Sequence, residues 1–394
     1  MLKDILFQNW MPEDGAEETE ASCPERLFFF SEAFIRKYYA VAGLPEAQLE
    51  NVIAKAAGFD EKRIVRLLAW RMYNKFCKVT VREFIPFPEF IHQLGYDTGI
   101  LYLLLLLALI PELEARAEKE YFPMRYAHAA ATRIGTFPVY FAQAFGGRFG
   151  IRSRSMHFML NFKDSPMFRI GRFDFVLEKG GPRFPRVYAC GDEVKILCDE
   201  GWLLDRDGER VAPSAVPERI ARVTHFRDDG VVVRGTAVDI RTGLALPGEV
   251  ELDARQWTCV ASPEDWVLHF HIPAGGRMSP EVCRASFDEA LTFFAAQYPD
   301  KPVKVIYSVS WIFNHAWLDY IPESNMSALI RSAALFPCPH AKNAGLFFVF
   351  GREDADYASY PRTNSLERAV LDCIADGRPL RTPGAVILPL PEKK

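Results

Sequence analysis

The stretch Gly99 to Ile110, GILYLLLLLALI, constrains the fold more than any other part of the chain. An apolar run this continuous has no polar face to offer water, so the element it forms must be enclosed on every side. A helix that crosses a bilayer needs about 20 such residues. This run has 12, and Pro111 with the charged run ELEARAEKE closes it off. The expectation is a buried helix among other helices, with no membrane partner.

The neighbouring sequence supplies those helices. From Glu25 to about Gly146, apolar residues recur at three- and four-residue steps in ERLFFFSEAFIRKYYAVAG, PEAQLENVIAKAAGF and DEKRIVRLLAWRMYNKFC, the period of helices with one inward face. Gly43 with Pro45, and Gly58 with Asp60, supply stops and starts. Residues 1–24 are acidic and poorly patterned, an arm or an edge contact. An N-terminal helical domain is expected over 1–146.

Near residue 147 the period changes. SMHFMLNF and MFRIGRFDFVLEKG alternate, with Phe168, Ile170, Phe173 and Phe175 as the bulky positions and a slip at Gly171 such as a bulge makes. A pair of strands is expected here. Short strands with Gly and Asp turns continue through GVVVRGTAVDIRTGLALPGEVELD, so 147–262 reads as a β-rich middle region. From Asp265 the order is strand WVLHFHI, loop PAGGRMS, helix PEVCRASFDEALTFFAAQY, strand VKVIYSVSW, short helix AWLDYIP, strand GLFFVFG, helix NSLERAVLDCIADG and strand GAVILPL. This predicts a mixed α/β domain over 263–394. The whole chain therefore reads as α+β, and 394 residues is a length at which one core gives way to several.

Charge bounds the function. With 47 Lys and Arg against 51 Asp and Glu the net charge is −4, which argues against a general nucleic-acid binder, since phosphate neutralisation needs a basic surface. The eight cysteines include no C-x-x-C pair, so neither a zinc ribbon nor a thioredoxin motif is present and no metal is expected. Free thiols, and no basic–apolar–small leader pattern, point to a cytoplasmic protein.

The segment with most chemical promise is HFHIPAGGRMSPEV, residues 269–282. It reads as a strand end, a glycine loop and a helix start, with Ser279 as N-cap and Pro280 at the first helical position. The amides of Ala274, Gly275, Gly276, Arg277 and Met278 would meet an anion at the positive end of the helix, and Arg277 would add a charge. Glu281, in the first turn, opposes an anion. A plain turn between two packed elements has the same sequence.

His269 and His271 flank Phe270 and share a sheet face. His271, beside the loop, is the candidate proton acceptor, and His269 the candidate structural histidine. Ser310 and Trp311 close the next strand at the loop's end of the sheet. Without a G-x-S-x-G elbow a covalent serine is not indicated, and Trp311 reads as packing or pocket wall. Tyr320 is a candidate general acid for a leaving thiolate, or a tyrosine half-packed on the surface. Cys338-Pro339-His340 reads as a loop. Between Arg125 and Arg186 there are 11 Lys or Arg against Asp164, Asp174 and Glu178, a local excess of about +8 that suits a nucleotide-containing ligand.

In their order these motifs resemble the bacterial acyltransferase-domain family with a GNAT-like C-terminal domain. Its H-I-P loop and following helix, L-S-P-E-A-x-x-x-S-x-x-x-A-x-x-F-F, match His271, Ile272, Pro273, Met278, Ser279, Pro280, Glu281, Ser286, Ala290, Phe293 and Phe294. MFRIGRFDF is similar to the family's F-R-[IL]-G-x-[LF]-x-[FY] strand, SVSWIFN to its H-S-W-L-L segment through Ser310 and Trp311, and IPESNM to its L-P-x-x-S-x-I turn through Pro322 and Ser324. The likeness covers roughly 95–180 and 262–394.

The resemblance implies a GNAT-like fold that takes acetyl-CoA or another acyl-CoA as cosubstrate and passes the acyl group to an amine or similar nucleophile by direct attack. It implies that 266–285 holds the CoA pyrophosphate, that pantetheine lies where the 266–272 and 303–311 strands splay, and that a backbone N–H of the first strand serves the oxyanion. The sequence differs from the pattern in three places. AGGRMS lacks the Q/R-x-x-G-x-G/A form, Ser308-Val309 replaces Cys-His, and 181–262 has no counterpart. A second reading is a non-catalytic ligand-binding or interaction protein that kept the fold and filled the cleft. Acceptor and oligomeric state are left open.

Overall fold

A computed structural model of the chain describes residues 16–84, 87–88, 91–214, 217–339 and 343–387. The acidic arm expected over 1–24 lies mostly outside these, and its described end is a helix, Ala16–Ser22. Two compact units result, Met1–Arg169 with Pro273–Gly275, and Ile170–Ile272 with Gly276–Lys394.

The first unit is helical and is built around α1, Thr98–Lys119. Residues Ile100 to Ile110 are each at most 2% exposed, enclosed by the helices Glu32–Val41, Leu49–Glu61, Arg63–Cys77, Met124–Ala131 and Met156–Asp164. The stretch 95–119 is long and apolar enough to cross a bilayer, and 78% of its most apolar window is buried inside the protein.

Three expectations fail here. Gly58 and Asp60 do not separate two helices but lie inside the helix Leu49–Glu61. Pro111 does not end the helix, which runs on to Lys119. Proline inside a helix removes one backbone bond at a cost of about 3 kcal/mol, whereas each large apolar side chain buried along this run contributes about 1.5–3 kcal/mol. Arg116, one turn beyond, anchors the continuation by donating to the Phe162 carbonyl and lying 4.7 Å from the Phe168 ring centre. SMHFMLNF is not a strand but part of the helix Met156–Asp164. Its buried Met156, Met159 and Leu160 follow the three- and four-residue step rather than alternation.

The second unit is built on a six-stranded sheet. Its strands are β1 (Met167–Ile170, whose last residue opens the unit), β2 (Phe173–Lys179), β3 (Trp266–His271), β4 (Val303–Val309), β5 (Ala333–Phe336) and β6 (Gly384–Ile387). The spatial order is β1-β2-β3-β4-β6-β5. β3 and β4 pair in parallel, whereas β2–β3, β4–β6 and β5–β6 are antiparallel. One sheet face carries Phe173, Phe175 and Phe270 against Phe287 of α2, Pro280–Gln297. The other carries Val267, Val305, Tyr307, Phe336 and Val386, in one core with Phe184, Val187, Ile196, Trp202 and Leu204. The segment 181–262 thus roofs this face. Its five-stranded sheet runs Leu244–Ala245, Ala237–Asp239, Glu193–Leu197, Arg186–Cys190, Thr258–Ala261.

Two further corrections fall in this unit. The slip at Gly171 is no bulge: Gly171, at φ 55°, and Arg172 form the turn of a β1–β2 hairpin. GLFFVFG is a short helix, Leu346–Phe350, bounded by left-handed Gly345 and Gly351, and the strand expected there is Ala333–Phe336 instead. The helices α2, capped by Ser279, and α3, Ser365–Ala375, with its Asn364/Glu367 capping box, form as the sequence indicates.

Candidate functional site

The parallel pair at the centre of the sheet parts company. β3 and β4 are paired at Trp266↔Val303, Leu268↔Ile306 and His269↔Tyr307. Beyond that rung each keeps only its outer neighbour, His271 opposite Asp174 of β2 and Val309 opposite Gly384 of β6. The strands therefore splay, with His269 and Tyr307 at the vertex.

Alternation puts His269, His271, Tyr307 and the carboxylates of β2 on one sheet face. The His269 and His271 rings are 4.5 Å apart, and the His269 ring stacks on Tyr307 at 4.6 Å and 21°. Glu178 Oε1 accepts from the Tyr307 hydroxyl at 2.6 Å and lies 3.1 Å from His269 Nδ1. Burial opposes charge on Glu178, but the His269 hydrogen bond and charge, the Tyr307 hydroxyl and His271 outweigh it, and its carboxyl titrates below the usual value. Burial first, then the Glu178 charge, drives the Tyr307 phenol well above its usual value. Asp174, fully buried, is the cross-strand partner of His271.

The loop that follows β3 leads into the N-terminus of α2. Gly275 and Gly276 are both left-handed, at φ 74° and 73°, a conformation glycine adopts without strain. Ala274 and Gly275 group with the first unit, and Gly276, Arg277 and Met278 with the second. Arg277 is exposed, and the Ser279 side chain accepts from the Val282 amide. A basic residue the sequence reading did not single out meets this loop: a Cβ placed on Gly276 would lie 3.3 Å from Arg172 Nε. The β1–β2 turn is fixed to α2, since Arg172 N donates to Ser286 Oγ at 2.8 Å and Ser286 Oγ donates to the Val282 carbonyl at 2.8 Å. The first-turn carboxylate, Glu281, is held by Ser279 and titrates below its usual value. Burial pushes the nearby Cys283 thiol up to about 11, so it is protonated at neutral pH.

The remaining candidates have other neighbours. Ser310 caps the turn Trp311–Phe313, accepting from Ile312 N at 3.3 Å. Trp311 stacks on Phe348 and covers Gly345 so closely that a Cβ there would lie 2.8 Å from its ring, while its carbonyl accepts from Trp317 Nε1. The Tyr320 hydroxyl donates to Asp376 at 2.6 Å, beside the Arg378–Asp319 ion pair. The structure thus brings His269 and His271 together and Gly276, next to the exposed Arg277, against Arg172, and gives Ser310, Trp311 and Tyr320 local partners. His340 lies outside the described residues. Among the described residues no three His, Cys, Asp or Glu side chains converge as a metal site requires.

Glu178 and Tyr307 also carried no assigned role in the sequence. The available signal is a pair of carboxylates, Asp174 and Glu178, on one face of the strand FDFVLEK, whose partners are fixed only by sheet register.

A model of the family described as the GNAT-like C-terminal domain matches residues 167–387. Among solved structures the chain resembles an acyltransferase in complex with decanoyl-CoA and teicoplanin, at a TM-score of 0.57 and 17% identity over 89% of this chain and 86% of that one. An acyltransferase mutant in complex with octanoyl-CoA gives 0.58 at 16% identity, over 90% and 87%. At these identities the likeness is one of fold. No curated protein matches the chain.

Proposed function

The chain belongs to the family with a GNAT-like C-terminal domain, and from that premise we propose that it is an acyl-CoA-dependent acyltransferase that moves an acyl group to an amine or similar nucleophile by direct attack. The observation that carries this reading is the parting of β3 and β4 after His269↔Tyr307. Two parallel strands that stop pairing leave backbone N–H and C=O groups on their facing edges without ladder partners, open to an incoming chain. An extended, amide-bearing chain such as pantetheine fills such a gap as an added strand would.

The rest of the site suits the remainder of the donor. The amides from Gly276 to Met278, the α2 dipole, Arg172 and Arg277 would receive its phosphates, with Glu281 as an opposing charge. A β3 amide beyond the vertex would donate to the thioester oxygen as it becomes an oxyanion. His269 and His271, with rings 4.5 Å apart on β3, are the side chains that would take a proton from the acceptor. The departing thiolate needs no dedicated acid, because a thiol of this kind has a pKa of about 8.5. The resemblance to acyltransferases holding decanoyl-CoA and octanoyl-CoA supports a thioester of this class as donor.

Titration calorimetry with CoA, acetyl-CoA, octanoyl-CoA and decanoyl-CoA tests the reading. Binding should weaken about 10-fold or more in Arg172→Ala or Arg277→Ala, the scale of a lost charged hydrogen bond. No binding of any of the four by the unmutated chain would overturn it.

A further inference from the structure

We propose that His269 takes the proton from the acceptor nucleophile and that Glu178 is its positioning residue, an assignment that rests on the acyltransferase reading above. His271 is nearer the loop, but the geometry favours its neighbour. His269 stands at the last paired rung, opposite Tyr307, where the two strands separate. Its Nδ1 lies 3.1 Å from Glu178 Oε1. A carboxylate can only accept, so the hydrogen sits on Nδ1, and Nε2 keeps its lone pair.

That Nε2 is a buried atom with no hydrogen-bond partner among the described residues. A buried acceptor left unpaired is costly in an ordinary core and common where a substrate or reacting group is to arrive. The ring is held as well as oriented, stacked on Tyr307 on one side and 4.5 Å from His271. Tyr307 donates to the same carboxylate oxygen that receives Nδ1, so Glu178 is itself fixed. The titratable groups at the ring are Glu178 of β2, His271 of β3 and Tyr307 of β4; Asp174 lies opposite His271, and Arg183 and Cys338 act on Tyr307.

The step balances without any further reagent. The acceptor's nitrogen or oxygen lone pair forms a bond to the thioester carbonyl carbon, and its proton passes to Nε2. The imidazolium keeps Nδ1–H on Glu178. Collapse of the tetrahedral intermediate breaks the C–S bond, the electron pair leaves on sulfur, and the Nε2 proton follows to give CoA thiol and the acylated acceptor.

Nitrogen-15 spectra of the histidine side chains in the full chain read the tautomer directly. His269 should carry its hydrogen on Nδ1, and E178Q, whose amide can donate as well as accept, should let the Nε2–H tautomer appear. An Nε2–H tautomer in the unmutated protein would overturn the proposal, even if H269Q fails to fold. Thiol release from decanoyl-CoA, with water or methylamine as acceptor, supplies the second readout. H269Q should lose about 10²-fold or more in turnover, the usual weight of a general base, while decanoyl-CoA binding persists. E178Q should lower kcat and shift its pH profile while KM for decanoyl-CoA holds. Turnover that survives H269Q but not H271Q would overturn the assignment alone, whereas absent decanoyl-CoA binding in the unmutated chain would overturn the acyltransferase reading itself.

Discussion

Gly171 and Ser286 are in such close approach that a Cβ on the glycine would lie 2.4 Å from the serine oxygen, the same oxygen that receives the Arg172 amide at 2.8 Å. The hairpin turn is thereby fixed to α2, and Arg172 is delivered to the loop before it. Gly171→Ala meets both this contact and a left-handed φ of 55°, and should destabilise the protein by about 1–3 kcal/mol. Ser286→Ala, at a residue 2% exposed, removes the oxygen that accepts from the Arg172 amide, at a similar cost of about 1–3 kcal/mol. Urea unfolding measures both, and unchanged midpoints would refute the latch.

Arg172 should act on phosphate and not on the acyl chain. Arg172→Ala should weaken decanoyl-CoA binding, and more so at low salt than at high, because the contact is one of charge. The same substitution should leave the affinity for decanoyl-pantetheine, which lacks the nucleotide phosphates, within about twofold. Paired calorimetric titrations of the two thioesters make the comparison.

Glu178 ties stability to pH. Its folded carboxyl titrates below its usual value, so the stabilisation it contributes is present above the unfolded value of about 4.3 and is lost as the pH falls through the folded value. The stability gap between the unmutated chain and Glu178→Gln should therefore be largest near neutrality and shrink on acidification. Tyr307→Phe removes the hydroxyl that donates to Glu178 at 2.6 Å, and should raise the carboxyl's pKa and narrow that gap. Denaturant titrations at several pH values follow it.

Tyr320 should prove dispensable to turnover. Its hydroxyl is engaged by Asp376, and a CoA thiolate is stable enough to leave unaided. Tyr320→Phe should keep thiol release from decanoyl-CoA within about twofold while costing about 0.5–1.5 kcal/mol of stability at most. A large loss of turnover with binding intact would return it to the chemistry.

Much of the fold is legible in the sequence where one element settles its own structure. The capping residues Ser279 and Asn364 mark α2 and α3 locally, and GILYLLLLLALI declares its own burial. Legibility fails where a neighbour decides. SMHFMLNF fits both an alternating and a helical pattern until α1 packs on its Met156–Met159–Leu160 stripe. GLFFVFG is apolar enough for a strand, but two left-handed glycines close it into one helical turn. The site divides in the same way. His269 and His271 are recognisable from spacing alone, whereas Glu178 and Tyr307 come to them only through sheet register, and Arg172 reaches the Gly276 loop only through a hairpin turn.

Hydrogen exchange of the full chain with and without decanoyl-CoA tests the central claim most directly, that the splay between β3 and β4 receives the donor. Decanoyl-CoA should slow amide exchange around residues 270–279 and 308–311, and CoA alone should protect chiefly the loop at 276–279. Unchanged exchange in both segments under saturating decanoyl-CoA, or protection confined to other parts of the chain, would contradict it.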